Sequence, residues 1–296
     1  MTPVAAPPRT ERASRPAPPS RRTGLPGRLG TLALLLGPLV VLAAALGYPL
    51  VVAVSRSFTD RDDRYVGTQT WASALGDPAV RRAIGQTVEI AVASTIGCVV
   101  VGTFIAFVLS FVPFPGAGVI VRIIEAVVSL PSFLIPLALG VMFGPVGVVS
   151  AVTGHRLAFM SSVTGVVLAE VAFYTPFVVR PLLAAFSQFP TAQIDVASSL
   201  GAGPLRIAMR VIAPAVWPAL AAAASLTFLL TLNEFGIVLF TGAKSVTTLP
   251  ILIYTKSIVG SDFATAAVLA TVQLFLSLGA YLLYRTVVRR FDTTGG

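Results

Sequence analysis

Charge is scarce in this chain. Lys, Arg, Asp and Glu together make up 11% of its 296 residues, against about 25% in soluble domains. So few charges cannot cover a surface that mostly faces water. Cysteine occurs once, at Cys98 inside an apolar run. That excludes an intramolecular disulfide and a cysteine metal cluster, and leaves a small buried side chain. Histidine also occurs once, at His155 beside Arg156, and one histidine without neighbouring cysteines or acids makes no metal site. No repeat with a period of about 20–50 residues is visible, so a solenoid has no support. A phosphate loop is missing too. The nearest run, "GIVLFTGAK" from Gly236 to Lys244, has the wrong glycine spacing, contains no Gly-Lys pair and sits at the end of a span. The chain therefore carries no ATPase of its own.

What is abundant is apolar. Hydrophobic residues make up 55% and the mean hydropathy is +0.88. Roughly 20 apolar residues cross a bilayer as a helix, and the runs near 32–54, 84–112, 119–144, 163–188, 217–240 and 263–285 meet that length. They are too long and uniform for the short alternating strands of a membrane β-barrel. The expected fold is an all-α integral membrane protein with six transmembrane helices. The net charge of +9 would suit nucleic acid, but in this composition it points to basic residues beside a membrane.

Residues 1–28 are rich in Pro, Ala and Arg with almost no large apolar side chains. Such a segment cannot offset its ordering entropy, so a disordered tail is expected there, with the membrane domain over 29–296. A signal peptide is the competing reading, but the run Leu32 to Val54 exceeds an apolar core of about 7–15 residues.

Basic residues set the orientation. With the N-terminus inside, the cytoplasmic segments and helix ends hold the tail arginines together with Arg122, Arg180, Arg206, Arg210, Arg285, Arg289 and Arg290. The outside holds Arg56, Arg61, Arg64, Arg81, Arg82, Arg156, Lys244 and Lys256, diluted by Asp60, Asp62, Asp63 and Asp77. Both termini are then cytoplasmic, and so is the stretch "TAQIDVASSLGAGPLRIAMRVIAPAVW", Thr191 to Trp217.

That stretch is an amphipathic interruption between two apolar runs. Ile194, Ala197, Leu200 and Gly201 recur at helical spacing, and Gly201, Gly203 and Pro204 then end the helix. Pro204 suits a first-turn position. A second short helix is expected over 205–212, with Arg206 and Arg210 one turn apart. Pro214 and Pro218 would mark the return to the membrane. The expectation is helix, turn, helix, lying beside the bilayer.

The order acidic, small, Ala, then three residues, Gly, nine residues, aliphatic, any, apolar, Pro resembles the cytoplasmic loop of type I, binding-protein-dependent ABC importer permeases. That family's pattern is Glu-Ala-Ala, three residues, Gly, nine residues, Ile, any residue, Leu, Pro. Asp195, Val196 and Ala197 stand at its first three positions, Gly201 at the glycine, Val211 and Ala213 at the aliphatic positions and Pro214 at the proline. The spacing is complete; Asp, Val, Val and Ala replace Glu, Ala, Ile and Leu. The resemblance implies a core over about 82–286 and a coupling helix that grips an ATP-binding subunit. It further implies a dimer of such subunits with ATP and Mg bound there, a second permease subunit and an external substrate-binding protein. The permease does no bond chemistry and binds no cofactor or metal. Its remaining neighbour is membrane lipid. The bland alternative is an interfacial helix that merely links two spans.

Glu89, Glu125, Glu170 and Glu234 lie within or beside apolar runs. A carboxylate in hydrocarbon costs about 2.5–3.5 kcal/mol or more, so each should face a partner, a cavity or the interface. Glu234 opens "EFG", which is followed by Gly242, "TTLP" and "IY"; this segment resembles permeases for sulfate, molybdate and related oxyanions. The run Asn233 to Tyr284 is most similar to 2-aminoethylphosphonate permeases. That resemblance implies a substrate with an ammonium and a phosphonate dianion. Glu234 would attract the first and Lys244, Lys256 or Arg180 the second. Sulfate, molybdate or a polyamine are alternative substrates. An ion-driven secondary transporter is the alternative mechanism, although its inverted repeats are not evident. "GVMFG", Gly140 to Gly144, has the spacing that lets helices approach closely.

Overall fold

The computed structural model of the protein describes residues 28–144, 147–154, 161–243 and 245–292. The tail over 1–27, His155, Arg156 and Lys244 lie outside them. The described chain is helical, with one isolated bridge pairing Thr59 and Tyr65. Six stretches are long and apolar enough to cross a membrane: Leu36–Arg56, Pro78–Phe111, Leu134–Thr153, Val163–Ser187, Pro204–Leu232 and Phe263–Arg289. The third passes over undescribed residues.

The chain divides into two compact units, Met1–Pro49 and Leu50–Gly296. In the first, helix α1 (Arg28–Arg56) begins, with Pro38 and Pro49 inside it. Its large side chains Leu36, Val41 and Tyr48 are exposed.

The second unit carries α2 (Gln69–Gly76), α3 (Pro78–Phe111), α4 (Ala117–Val128), α5 (Leu134–Phe143), α6 (Val148–Thr153), α7 (Val163–Tyr174) and α8 (Pro176–Ser187). Then follow α9 (Thr191–Ser199), α10 (Pro204–Ile207), α11 (Ala213–Leu232), α12 (Gly236–Thr241), α13 (Leu249–Tyr254) and α14 (Phe263–Asp292). Asp77 caps α3, accepting from Ala79 N at 2.8 Å, and Pro78 takes its first position. At 34 residues, α3 is about 50 Å long and outreaches a hydrocarbon core of about 30 Å.

The core lies where α3 and α11 pack on α7 and α8, around the buried Cys98, Ala169, Phe173, Leu182 and Val216. Small residues set that approach. A Cβ on Gly97 would lie 2.5 Å from Val171 Cγ2, and one on Gly102 2.8 Å from Val178 Cβ. Close helix contact thus falls on α3 and not on "GVMFG", where Gly140 meets open space and Gly144 caps α5. The expectation for that motif is corrected within this chain.

Three apolar runs are not single helices, and one of them, 163–188, bends at Thr175 between α7 and α8. The run 119–144 is α4 and α5, separated by the break that contains Pro131 and Ser132. The run 217–240 ends early at Leu232 and resumes as α12. Its start is also earlier than expected. The segment 205–212 is not a separate surface helix: α10, a π turn over Ala208–Ile212 and α11 run on without a break. Pro204 begins this continuous span and Pro214 sits inside it. Ala213 N bonds Ala208 O in the wider π register. That register absorbs a proline whose ring would otherwise meet the carbonyl four residues back.

Candidate functional site

The loop between α8 and α11 has a local chemical logic. Helix α9 ends in a Schellman motif. Ala202 N donates to Ala197 O at 3.0 Å and Gly201 N to Ser198 O at 2.9 Å. The residue after the cap must then be left-handed, and Gly201 has φ +79°. A residue with a Cβ would be strained there by roughly 1–2 kcal/mol. The glycine of the sequence pattern is therefore the position that turns the chain. Ile194, Ala197 and Val211 pack against the core cluster. Asp195, Val196 and Leu200 face outward, Leu200 with 82% of its surface exposed. Pro214 is exposed on α11. The loop thus presents a carboxylate amid apolar side chains on a rigid, folded-back support.

A second cluster gathers at Glu234. The residue is 8% exposed and lies in the break between α11 and α12. Oε1 accepts from Ile237 N at 2.7 Å and from Ser132 Oγ at 3.4 Å, while Oε2 accepts from the Tyr174 hydroxyl. Ser132 belongs to the break between α4 and α5, and Tyr174 ends α7 just before the bend at Thr175 and Pro176. One carboxylate therefore ties three interrupted spans together. Gly236 suits this closeness, because a Cβ there would stand 3.1 Å from Ser132 Oγ and 3.3 Å from Glu234 Oε1, tight enough that the two side chains would have to shift. Asn233, the next residue back, holds the same break to α14 by accepting from Gln273 Nε2 at 3.0 Å and Ser277 Oγ at 2.8 Å.

The remaining candidates are scattered. Arg180 is exposed on α8, and no hydrogen bond or ion pair joins it to Glu234 among the described residues. Glu89 and Glu125 are exposed on α3 and α4. Glu170 is fully buried, and neither of its oxygens has a hydrogen-bond partner among the described residues. Lys244 lies outside the described residues.

Sequence reasoning passed over two devices on the opposite end of the bundle from α9. Gln86 on α3 holds the loop that leads into α13. Its Oε1 accepts from Thr247 N at 2.9 Å and its Nε2 donates to Ser245 O at 3.3 Å, while Thr87 Oγ1 accepts from Leu249 N at 2.8 Å. Arg61 pairs with Asp262 at 2.9 Å. Burial works to raise the Asp262 carboxyl, but hydrogen bonds from Arg61 and Thr265 outweigh it and hold the group below the usual carboxylate range. Neither contact has a local pattern: Gln86 and Thr247 are 161 positions apart, Arg61 and Asp262 201.

Known proteins supply the context for this geometry. Residues 98–293 match the family model described as "Binding-protein-dependent transport system inner membrane component". The chain is 40% identical over 263 residues to a protein of Salmonella typhimurium named for 2-aminoethylphosphonate transport, the permease PhnU, covering 86% of this chain and 92% of that one. It is 38% identical over 170 residues to the molybdenum transport system permease ModB of Azotobacter vinelandii, covering 55% of this chain and 73% of that one. Its fold matches a chain in the crystal structure of a bacterial alginate ABC transporter with its periplasmic protein. The TM-score there is 0.75 at 17% identity, over 88% of this chain and 94% of that chain. The matched region takes in both the α9 loop and the Glu234 cluster, and this chain belongs to the family of inner-membrane permease components of binding-protein-dependent transport systems.

Proposed function

We propose that this permease carries 2-aminoethylphosphonate or a closely related phosphonate into the cell, driven by ATP hydrolysed on a partner subunit. The observation that carries the substrate is the 40% identity maintained over 86% of the chain to a relative named for that compound. The molybdenum relative keeps a similar identity over only 55%.

In this reading two permease subunits form the path, and both termini and the α9 loop face the cytoplasm. Two ATP-binding subunits dock on α9, where ATP and Mg are theirs to bind. Asp195 offers its charge, Val196 and Leu200 fill an apolar groove, and Gly201 sets the fold-back. Ala197, Val211 and Pro214 root the loop in the span it moves. Movement of α9 reaches α11 through the turn at Gly201, since Pro204–Leu232 beyond that turn is one continuous stretch. An external binding protein delivers substrate on the opposite side. Of the charged groups on the path, exposed Arg180 suits a phosphonate, joined by Lys244. Glu234 already accepts from three donors, and its part is to hold the broken spans in register.

The test is reconstitution of the permease with its ATPase and binding protein in vesicles. Uptake of radiolabelled 2-aminoethylphosphonate should require ATP and resist a tenfold excess of sulfate, molybdate or putrescine. Stronger uptake of any of those three would overturn the substrate. Uptake that survives ATP depletion but stops when the proton gradient collapses would make the protein a secondary transporter.

A further inference from the structure

An apolar groove of about 550 Å³ runs along the surface between α3 and the span formed by α10, the π turn and α11. Val100, Phe104 and Phe107 form one wall, and Met209, Val216 and Trp217 the other. Among its lining residues only Thr103 and Trp217 carry a side-chain oxygen or nitrogen. The groove is open: Phe104, Met209 and Trp217 are 68%, 66% and 55% exposed. At the α9 end it continues into a second concavity of about 500 Å³. Leu205 and Met209 line both, and Arg206 and Arg210 line the second.

Apolar walls inside a membrane do not choose between a lipid chain and another helix, because both are hydrocarbon. The two arginines do choose. Both are exposed, they lie one turn apart, and neither has an acidic partner among the described residues. A cationic pair at the membrane edge, continuous with a hydrocarbon-lined trough, complements an anion that carries a hydrocarbon tail. The dimensions agree. From Leu205 to Leu220 the helix rises about 22 Å, enough for one leaflet's half of a core of about 30 Å.

We infer that this groove binds an anionic phospholipid, with its phosphate on Arg206 and Arg210 and one acyl chain along Phe104, Met209 and Trp217. The inference rests on the cytoplasmic placement of the α9 loop, since anionic lipid and basic edges coincide on that face. Its consequence is a lipid-sensitive permease: the headgroup sits where the coupling loop joins the span it drives.

The experiment uses the full chain assembled with its ATPase in nanodiscs of phosphatidylcholine. A minor share of phosphatidylglycerol with a photoreactive diazirine in its acyl chain is the probe, and labelled peptides are mapped by mass spectrometry. Label is expected on segments 99–107 and 205–220. It should fall at least about tenfold in Arg206→Ala/Arg210→Ala, each cation near an anionic surface contributing roughly fivefold, and persist in the double Lys variant. Ala208→Trp, which fills the groove and keeps both arginines, should also lose it. Thermal unfolding checks that each variant is folded. Equal labelling by the phosphatidylcholine analogue, or no change in the double Ala variant, overturns the site. Loss of label on adding soluble glycerol phosphate would mean that the arginines take a free phosphate. Label seen only on the isolated chain would mean that a protein subunit fills the groove. Orientation is read separately, by impermeant maleimide on Asp195→Cys in right-side-out and inverted vesicles, with buried Cys98 adding no background.

Discussion

The hydroxyl of Tyr174 donates to the carboxylate of Glu234, 60 residues away in the chain. The two meet where three spans are interrupted. Hydrogen-bonding groups freed by a broken helix must be satisfied inside a membrane, and here a single side chain answers donors from all three breaks. Glu234 is therefore a structural keystone of the interrupted spans.

Removing one partner from such a cluster leaves the others buried and unmatched, at about 1–3 kcal/mol each. Tyr174→Phe should lower the unfolding midpoint of the purified complex by a few degrees. Glu234→Ala strands the Ile237 amide, the Ser132 hydroxyl and the Tyr174 hydroxyl together and should cost more, with transport lost. Glu234→Gln retains an acceptor oxygen and should fall between wild type and Ala. Wild-type unfolding and uptake in Glu234→Ala would remove the keystone role.

The α9 loop offers a separate test of coupling. Asp195→Arg reverses the exposed charge without touching the core contacts of Ile194 and Ala197. Capture of the ATP-binding subunit in a pull-down should drop at least about tenfold, while membrane insertion is unchanged. Gly201→Ala puts a Cβ at φ +79° and should loosen the Schellman turn by roughly 1–2 kcal/mol, with partial loss of capture. Undiminished capture in both variants would leave α9 as a linker between spans.

Close helix approach predicts a sharp contrast along α3. Gly97→Val adds a branched side chain where even a Cβ meets Val171 at 2.5 Å. Overpacking of this kind costs typically 1–3 kcal/mol, and little folded protein should survive size-exclusion chromatography. Gly85→Ala, with nothing within 4 Å, should elute as the parent does.

Acidification reports on the Arg61 and Asp262 pair. The Asp262 carboxyl is held low in the folded protein, so its contribution to stability is fully present above the unfolded value of about 3.9. That contribution is lost as pH falls through the lower folded value. The protection of amides at the start of α14, with the intrinsic pH dependence of exchange divided out, should be the same at pH 7 and pH 5 and should fall only below about pH 4. Asp262→Asn should lower that protection already at pH 7. Arg61 is 73% exposed at its side chain, so high salt should weaken the pair.

Much of the architecture could be read without coordinates, because it depends on quantities averaged along the chain. Hydropathy over windows of about 20 residues reports whether a segment can leave water, and that yields six apolar spans. The pattern at 195–214 also carried information, since Gly201 does turn the chain where its spacing said a turn was needed. The errors lie where one side chain decides. Pro214 reads as a helix boundary, yet the π turn before it accommodates its ring and the span continues. The run 217–240 reads as one helix, yet Glu234 ends α11 by capturing the Ile237 amide for α12. Averaged hydropathy cannot register a single buried carboxylate.

The sequence by itself determined that this is a membrane chain with an amphipathic loop between two of its spans, because composition and local spacing suffice for both. Only the tertiary structure decided what Glu234, Gln86 and Asp262 do. Their partners come from segments distant in the chain, and a contact between distant segments exists only once the helices have packed.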